Sequence, residues 1–181
     1  HRMEYFLGNE LTSVMNYPVK DAILAYVRYG DLWSSNLWRT LISVYIEDYP
    51  HEIAYSLMNL LSTHDSVRMI TKLAGKEVDD HDKNWQFEND TLSPQEYRLG
   101  RARAMISYLI LYFLPGIPSI FYGDEIGLFG QKDPFCRKCF PWNRIDKKFL
   151  HFFKNLGKLR NSFADFLSIA NFNIVKINNE L

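Results

Sequence analysis

Two short apolar segments that each run into carboxylates limit what this chain can fold into. Tyr55–Leu61 leads directly into Ser62–Asp65, and Ile117–Tyr122 leads into Gly123–Glu125. Each apolar segment has the length of a buried strand, and each follows a segment with helical signals. This repeat is typical of the βα units of a parallel sheet or barrel, in which the chemistry lies where the strands end. The sequence therefore predicts an α/β fold.

The helices are predicted from capping residues and from the spacing of apolar residues. Ser93-Pro94-Gln95-Glu96 forms a capping box with proline in the first turn, and the helix that it starts should run to about Phe113. Asp146–Arg160 is amphipathic and predicts a last helix. The other predictions are a strand over Leu11–Tyr17, a helix over Asp21–Tyr29, a helix from Ser34 to about Pro50, an exposed loop over Gly75–Asn89, and a strand or hairpin over Phe166–Ile177.

The charge balance excludes some classes of function. The 181 residues contain 21 lysines and arginines against 21 aspartates and glutamates, so no net field attracts a nucleic acid or an anionic membrane. The most apolar stretch, Met105–Ile120, is interrupted by prolines and a glycine and is too short to span a bilayer. The polar N-terminal residues do not resemble a secretory signal, which leads us to expect a cytoplasmic protein.

The carboxylates at the two strand ends are the first candidates for chemistry. In a parallel sheet, His64 and Asp65 at one end and Asp124 and Glu125 at the next would lie within roughly 5–10 Å, a range in which glycosidases use paired carboxylates. The alternative is that these carboxylates cap the following helices or bind a loop.

The cysteines form a second candidate site. Cys136-Arg137-Lys138-Cys139 has a spacing that zinc sites and thioredoxin-like redox sites both use. A structural zinc needs four ligands, and the five histidines of the chain contain no closely spaced pair. The simpler interpretation is two reduced thiols in a loop.

Four motifs, in order along the chain, resemble the α-amylase family of glycoside hydrolases. Leu57–Arg68 is similar to the family's seventh barrel strand with its His-Asp motif, and Gly116–Gly127 is similar to the stretch around its eighth strand. Ser13–Pro18 and Lys132–Trp142 resemble the branch that contains cyclomaltodextrinase, neopullulanase and maltogenic amylase. The resemblance covers roughly residues 1–160.

The resemblance implies roles for individual residues. Asp65 would be the transition-state stabiliser, a carboxylate that binds sugar hydroxyls and favours the oxocarbenium-like state. His64 would contact the sugar beside the scissile bond. Thr63 stands where the family more often has Asn or Ser. The resemblance also withdraws a catalytic role from Glu125, which supports the barrel in the family.

The aromatic content of 15% suggests sugar-stacking side chains. The tryptophans are Trp33, Trp38, Trp85 and Trp142. Trp38 is expected in the core, because most aromatic residues on helices are buried there. Trp142, in a loop after a strand end, is the candidate for binding substrate. No metal and no cofactor is expected.

The resemblance implies the architecture as well. Residues 1–160 would be the C-terminal portion of a catalytic (β/α)8 TIM barrel, with its sixth to eighth βα units, and residues 161–181 would begin a C-terminal β-sandwich. The family's nucleophilic aspartate and general-acid glutamate end the fourth and fifth strands, upstream of the segment that His1–Gly8 resembles. We therefore expect a fragment of a retaining α-glucan hydrolase that is inactive as this isolated chain. Its open sheet edges predict a homo-oligomer.

The implied substrate is a maltooligosaccharide or a cyclodextrin with α-1,4-glucosidic bonds, and α-1,6 bonds are the alternative linkage. Within the family, a glucosyltransferase or isomerase is the alternative to a hydrolase. A non-catalytic carbohydrate-binding module is a second class of function, and a redox or zinc protein that uses Cys136 and Cys139 is a third.

Overall fold

The computed structural model describes residue 11, residues 13–75 and residues 82–174, which are mostly helical. None of the helices in these ranges is both long and apolar enough to cross a membrane. In chain order the elements are α1 (Tyr17–Tyr29), α2 (Ser34–Ile42), α3 (His51–Ala54), β1 (Met58–Asn59), α4 (Met69–Leu73), α5 (Lys83–Glu88), α6 (Pro94–Phe113), β2 (Ile117–Pro118), α7 (Lys147–Ser162) and α8 (Ala164–Ile169). Short 3-10 turns cover Gly30–Trp33, Asp124–Ile126 and Phe135–Arg137, and a π-helical turn covers Ser43–Glu47.

The two strands lie side by side in a parallel sheet. β1 pairs with β2 in the register that places Met58 opposite Ile117, and Met15 makes an isolated parallel bridge to Met58. The residue Met15, β1 and β2 thus lie next to each other in the order in which they occur along the chain, as expected for successive βα units. Each strand is shorter than predicted: a turn precedes β1, and β2 ends at Pro118.

α1 begins at Asn16-Tyr17-Pro18, where the predicted strand was expected to end and to run into a loop. The predicted strand over Leu11–Tyr17 reduces to the bridge at Met15, and the helix starts at Tyr17 rather than at Asp21. The Asn16 side chain accepts a hydrogen bond from the Val19 N–H at 3.4 Å. A side-chain cap followed by proline in the first turn starts a helix, which explains the difference.

The predicted helices α6 and α7 are confirmed, and each begins at a side-chain cap. Ser93 Oγ accepts from the Glu96 N–H at 3.3 Å, and Glu96 Oε2 accepts from the Ser93 N–H at 2.6 Å, which completes the capping box of α6. Asp146 caps α7 by accepting a backbone N–H at 2.9 Å. Gly116 separates α6 from β2 with a φ of 102°, and a Cβ there would lie 2.6 Å from the Leu57 carbonyl oxygen.

The hydrophobic core lies between α1, α4, α6 and α7, with β1 packed against it. Leu57 and Leu61, which flank β1, are fully buried in this core. In contrast, Ile117 in β2 is 57% exposed. The core also contains an aromatic cluster, in which the Tyr108 and Phe153 rings are 4.6 Å apart. The exposed side of the described sheet is therefore at β2.

Two of the predicted segments need correction in the first half of the chain. The loop expected over Gly75–Asn89 contains α5, which Asp82 caps by accepting two backbone N–H groups at 2.9 Å; residues 76–81 lie outside the described residues. The second helix ends in the π-helical turn at Glu47, before Pro50. α5 was missed because its polar residues resemble a loop, whereas its Asp cap is a local helix signal.

The predicted strand or hairpin over Phe166–Ile177 is wrong over its first residues, which form α8. Residues 175–177 lie outside the described residues. The segment packs onto the helical layer instead of pairing in a sheet. The Tyr55 hydroxyl donates to the Ala170 carbonyl, and the Phe172 ring lies edge-on to the Tyr45 ring at 5.3 Å. These contacts involve residues that follow α8, a helix in which no residue is buried.

Candidate active site

His64 and Asp65 lie in the tight turn that follows β1. The Asp65 N–H donates to Thr63 Oγ1 at 3.2 Å, and the Thr63 N–H donates to Ser66 Oγ at 3.1 Å. A hydroxyl side chain that bonds to its own turn fixes the backbone locally. Thr63 supplies this hydroxyl, which makes its replacement of the family's more common Asn or Ser a mild change. The turn leaves the Asp65 side chain 63% exposed.

The Asp65 carboxylate lies between two cationic or potentially cationic groups. His64 Nε2 is 3.1 Å from Asp65 Oδ2, and Arg137 Nη2 is 3.6 Å from Asp65 Oδ1. Exposed ion pairs contribute little to stability, so these contacts orient the carboxylate more than they stabilise the fold. The carboxylate is largely exposed, and its oxygens can accept hydrogen bonds from the hydroxyls of a ligand.

The loop after β2 holds the His64 backbone in place. Cys136 Sγ and Arg137 Nε each donate to the His64 carbonyl oxygen, both at 3.1 Å. Arg137 Nε also lies 2.6 Å from Asp133 Oδ1. The cysteine motif, considered above for zinc or redox chemistry, thus contributes one buried thiol to the support of His64, while Cys139 is exposed.

A buried ion pair connects the ends of the two strands. Arg68 donates to Asp124 Oδ1 at 2.9 Å, and both side chains are fully buried. The Tyr108 hydroxyl donates to Asp124 Oδ2 at 3.0 Å. Burial raises the pKa of Asp124 to about 6, while the Arg68 charge acts to lower it. Asp124 is therefore inaccessible to a substrate and serves as the partner of Arg68.

Arg68 is the residue of this region that sequence reasoning missed. Besides Asp124, it donates to the Tyr122 carbonyl oxygen at 2.7 Å and to the Cys136 carbonyl oxygen at 2.8 Å. Its guanidinium carbon lies 4.4 Å from the centre of the Phe121 ring. The only local signal was its place directly after the His-Asp motif. Arg68 joins the turn that carries Asp65 to the loop that supports it.

The remaining predicted residues lie at the edge of the region or away from it. Glu125 is half-buried in the 3-10 turn after β2. Trp142 is 81% exposed and packs on the Phe140 ring at 4.5 Å. Trp38 is also exposed rather than buried in the core, because it lies on the outer face of α2.

Asp65 borders a small cleft of about 170 Å³. Its polar lining includes Lys20, Lys72 and Lys132. Burial lowers the pKa of Lys72, and the negative charge of Asp21 opposes this shift. Within the described residues, no group of three His, Cys, Asp or Glu side chains is arranged to bind a metal ion. The cleft presents one carboxylate among cationic groups, a lining suited to a polar ligand.

Comparison with known proteins assigns the family. An amylopullulanase from Thermoanaerobacter thermohydrosulfuricus is 34% identical over 165 residues, which covers 86% of this chain and 10% of that enzyme. Cyclomaltodextrinases, a neopullulanase and a maltogenic amylase are also homologous. The chain is homologous to the α-amylase family. The resemblance that the motifs suggested is thereby confirmed, although no protein-family model matches the chain.

Solved structures of the α-amylase family share the fold. A cyclomaltodextrinase superposes with a TM-score of 0.72 and 25% identity, covering 99% of this chain and 27% of that one. The cyclic α-maltosyl-(1→6)-maltose hydrolase of Arthrobacter globiformis, solved in complex with that cyclic sugar, gives a TM-score of 0.65 and 26% identity over 88% of this chain and 31% of its own. These neighbours are TIM-barrel enzymes. The chain spans about a tenth of the length of the amylopullulanase and less than a third of each neighbour.

Proposed function

We propose that this chain provides the transition-state-stabilising part of an α-glucan hydrolase. The observation that carries the proposal is the exposed Asp65 carboxylate at the end of a parallel strand, flanked by His64 and held by a loop from the next strand. The homologues are named for the hydrolysis of pullulan, cyclomaltodextrin and related α-glucans, which supports this substrate class.

The proposed reaction is hydrolysis with retention through a covalent glycosyl intermediate. Its transition state carries positive charge on the sugar ring. Asp65 stabilises this charge and accepts hydrogen bonds from ring hydroxyls, while His64 binds the sugar beside the scissile bond. The reaction also needs a nucleophile and a general acid, two roles that the proposal gives to neither His64 nor Asp65. The bond cleaved is α-1,4-glucosidic in maltooligosaccharides or cyclodextrins, with α-1,6 as the alternative.

Replacement of Asp65 by asparagine in the complete protein tests the proposal. Asparagine keeps the size of the side chain and removes its charge, so Asp65→Asn should lower kcat by about two to three decades. KM should change less, because the interaction acts mainly on the transition state. The matched control is Asp165→Asn, which removes a carboxylate from the exposed face of α8 and should leave kcat unchanged.

A kcat for Asp65→Asn within a factor of about three of the parent would contradict the assignment. An equal loss in Asp165→Asn would show that the effect arises from altered folding or net charge. Pullulan contains both linkages, so its products identify the bond cleaved: maltotriose shows cleavage of α-1,6 bonds, and trisaccharides that retain an α-1,6 bond show cleavage of α-1,4 bonds. Product analysis in the presence of an acceptor sugar separates hydrolysis from glucosyl transfer.

The proposal includes the architecture and the assembly expected from the sequence. Residues 1–160 would form the sixth to eighth βα units of the barrel, and residues 161–181 would begin the C-terminal domain. The order of the Met15 bridge, β1 and β2 supports the first part. The exposed Ile117 in β2 supports association of the isolated chain through open sheet edges. A role for Trp142 in binding substrate and a cytoplasmic location stay predictions from the sequence.

A further inference from the structure

A second cleft lies on the other side of α1 from Asp65. It has a volume of about 610 Å³ and lies between α1 and α2. Lys72 borders both clefts, whereas the aromatic lining belongs to the second one alone. The side chains that matter for a ligand are Asp21, Arg28, Tyr29, Trp33, Asn36 and Thr40.

The aromatic part of this cleft is built by the turn between the two helices. Gly30, with a φ of 69°, ends α1 and starts the 3-10 turn that places Trp33 beside Tyr29. The two ring centres are 6.0 Å apart and their planes differ by 33°. The Arg28 guanidinium carbon lies 5.0 Å from the centre of the Tyr29 ring. Two neighbouring rings are thus held on the surface, where large apolar side chains often mark a binding site.

The polar part of the cleft suits a neutral ligand rich in hydroxyl groups. Asn36 offers an amide donor and acceptor, Thr40 offers a hydroxyl, and Asp21 offers a carboxylate with 60% of its side chain exposed. The negative face of an aromatic ring attracts the C–H groups on the flat side of a pyranose. The Asp21 carboxylate offsets the charge of Arg28, and the remaining cation, Lys72, lies where this cleft borders the first one.

We propose that the Tyr29–Trp33 cleft is an accessory binding site for an α-glucan chain, separate from the site of bond cleavage. The rings stack on pyranose units, and Asn36, Thr40 and Asp21 bind their hydroxyls. The choice of an α-glucan as ligand rests on the proposed function. Such a site holds a polymer to the enzyme, whereas a short substrate reaches Asp65 without it.

The test uses the complete protein and compares two tryptophans of similar exposure. Trp33, in the cleft, is 40% exposed, and Trp38, on the same side of the chain but outside the cleft lining, is 45% exposed. In native gels that contain soluble amylopectin, Trp33→Ala should weaken the apparent affinity for the polymer by about tenfold. Trp38→Ala should retain the parent affinity. Hydrolysis of maltotriose should stay within twofold of the parent in both variants.

Equal retardation of Trp33→Ala and the parent by amylopectin would overturn the proposal. A parallel loss of maltotriose hydrolysis in Trp33→Ala would also overturn it, because the cleft would then belong to the cleavage site or to the folding of the domain. Tyr29→Ala provides a second variant that should show the same selective loss. Asp65→Asn distinguishes the two proposals, because it should abolish hydrolysis and leave the retardation by amylopectin intact. Unchanged hydrolysis in this variant would refute the proposed function without refuting the accessory binding site.

Discussion

Replacement of Arg68 should loosen the turn that carries Asp65. Arg68 is fully buried and makes hydrogen bonds of 2.7 to 2.9 Å to Tyr122, Cys136 and Asp124. The variant Arg68→Met keeps much of the apolar volume of the side chain but removes all of these bonds. The buried Asp124 carboxylate then loses its cationic partner and keeps the hydrogen bond from the Tyr108 hydroxyl. Breaking one side of a buried ion pair typically costs about 3–5 kcal/mol.

This cost predicts a measurable change in local opening. Each 1.4 kcal/mol is a factor of about ten in an equilibrium constant, so the protection of backbone amides in the Ser62–Met69 and Phe121–Cys139 segments should fall by about two to three and a half decades. Hydrogen exchange followed by mass spectrometry on the complete protein measures this protection peptide by peptide. Amides of α7 should change less if the opening is local.

A control variant and a double variant test whether the buried ion pair causes the loss of protection. Arg98→Met replaces an exposed arginine of α6 and should leave protection unchanged. Arg68→Met combined with Asp124→Leu should lose less protection than Arg68→Met alone, because the stranded carboxylate is removed as well. Amide protection in Arg68→Met within threefold of the parent would refute the assigned role of Arg68. A loss of protection in the double variant that exceeds the summed losses of the two single variants would also refute it.

Three further predictions follow from the same structure. Cys136→Ala should lower kcat by about threefold, because it removes the hydrogen bond from the thiol to the His64 carbonyl. The variants Cys136→Ser and Cys139→Ala should have a kcat near that of the parent. An unchanged kcat in Cys136→Ala would contradict a positioning role for this thiol. Because burial lowers the pKa of Lys72, its dimethylated amine should titrate below the exposed lysines in an NMR titration, and a midpoint at or above theirs would contradict the shift. The isolated 181-residue chain should release no reducing sugar from maltooligosaccharides and should sediment as an oligomer; a compact monomer at micromolar concentration would contradict the second expectation.

The helix starts show which parts of the fold follow from local sequence. Ser93 with Glu96, and Asp146, provide hydrogen bonds to backbone groups only three residues away, so their effect is visible in the sequence itself. Asn16 followed by Pro18 is the same kind of signal, but an Asn-x-Pro sequence also suits a loop, and the preceding apolar residues favoured a strand. α8 was missed because β-type residues such as Ile169 favoured a strand, whereas the structure has a helix there in which no residue is buried.

The site shows the limit of reasoning from one sequence. His64 and Asp65 could be selected because a motif and the end of a strand coincide at them. The partners that hold this turn come from distant positions: Cys136 lies 72 residues after His64 and 68 after Arg68. A single sequence carries no signal for such pairs, since their contact depends on the parallel pairing of β1 with β2. For the same reason Asp124 looked like a catalytic carboxylate until the buried Arg68 was seen beside it.

A crystal structure of the complete protein with the pseudo-oligosaccharide acarbose bound tests the role of Asp65 most sharply. We expect the Asp65 carboxylate to accept hydrogen bonds of about 2.5–3.0 Å from hydroxyls of the ring at the cleavage site, with His64 bound to the same ring. We also expect Arg137 and Cys136 to support this turn when the ligand is present. A ligand bound in the barrel with Asp65 and His64 out of hydrogen-bonding range would contradict the proposed role of both residues.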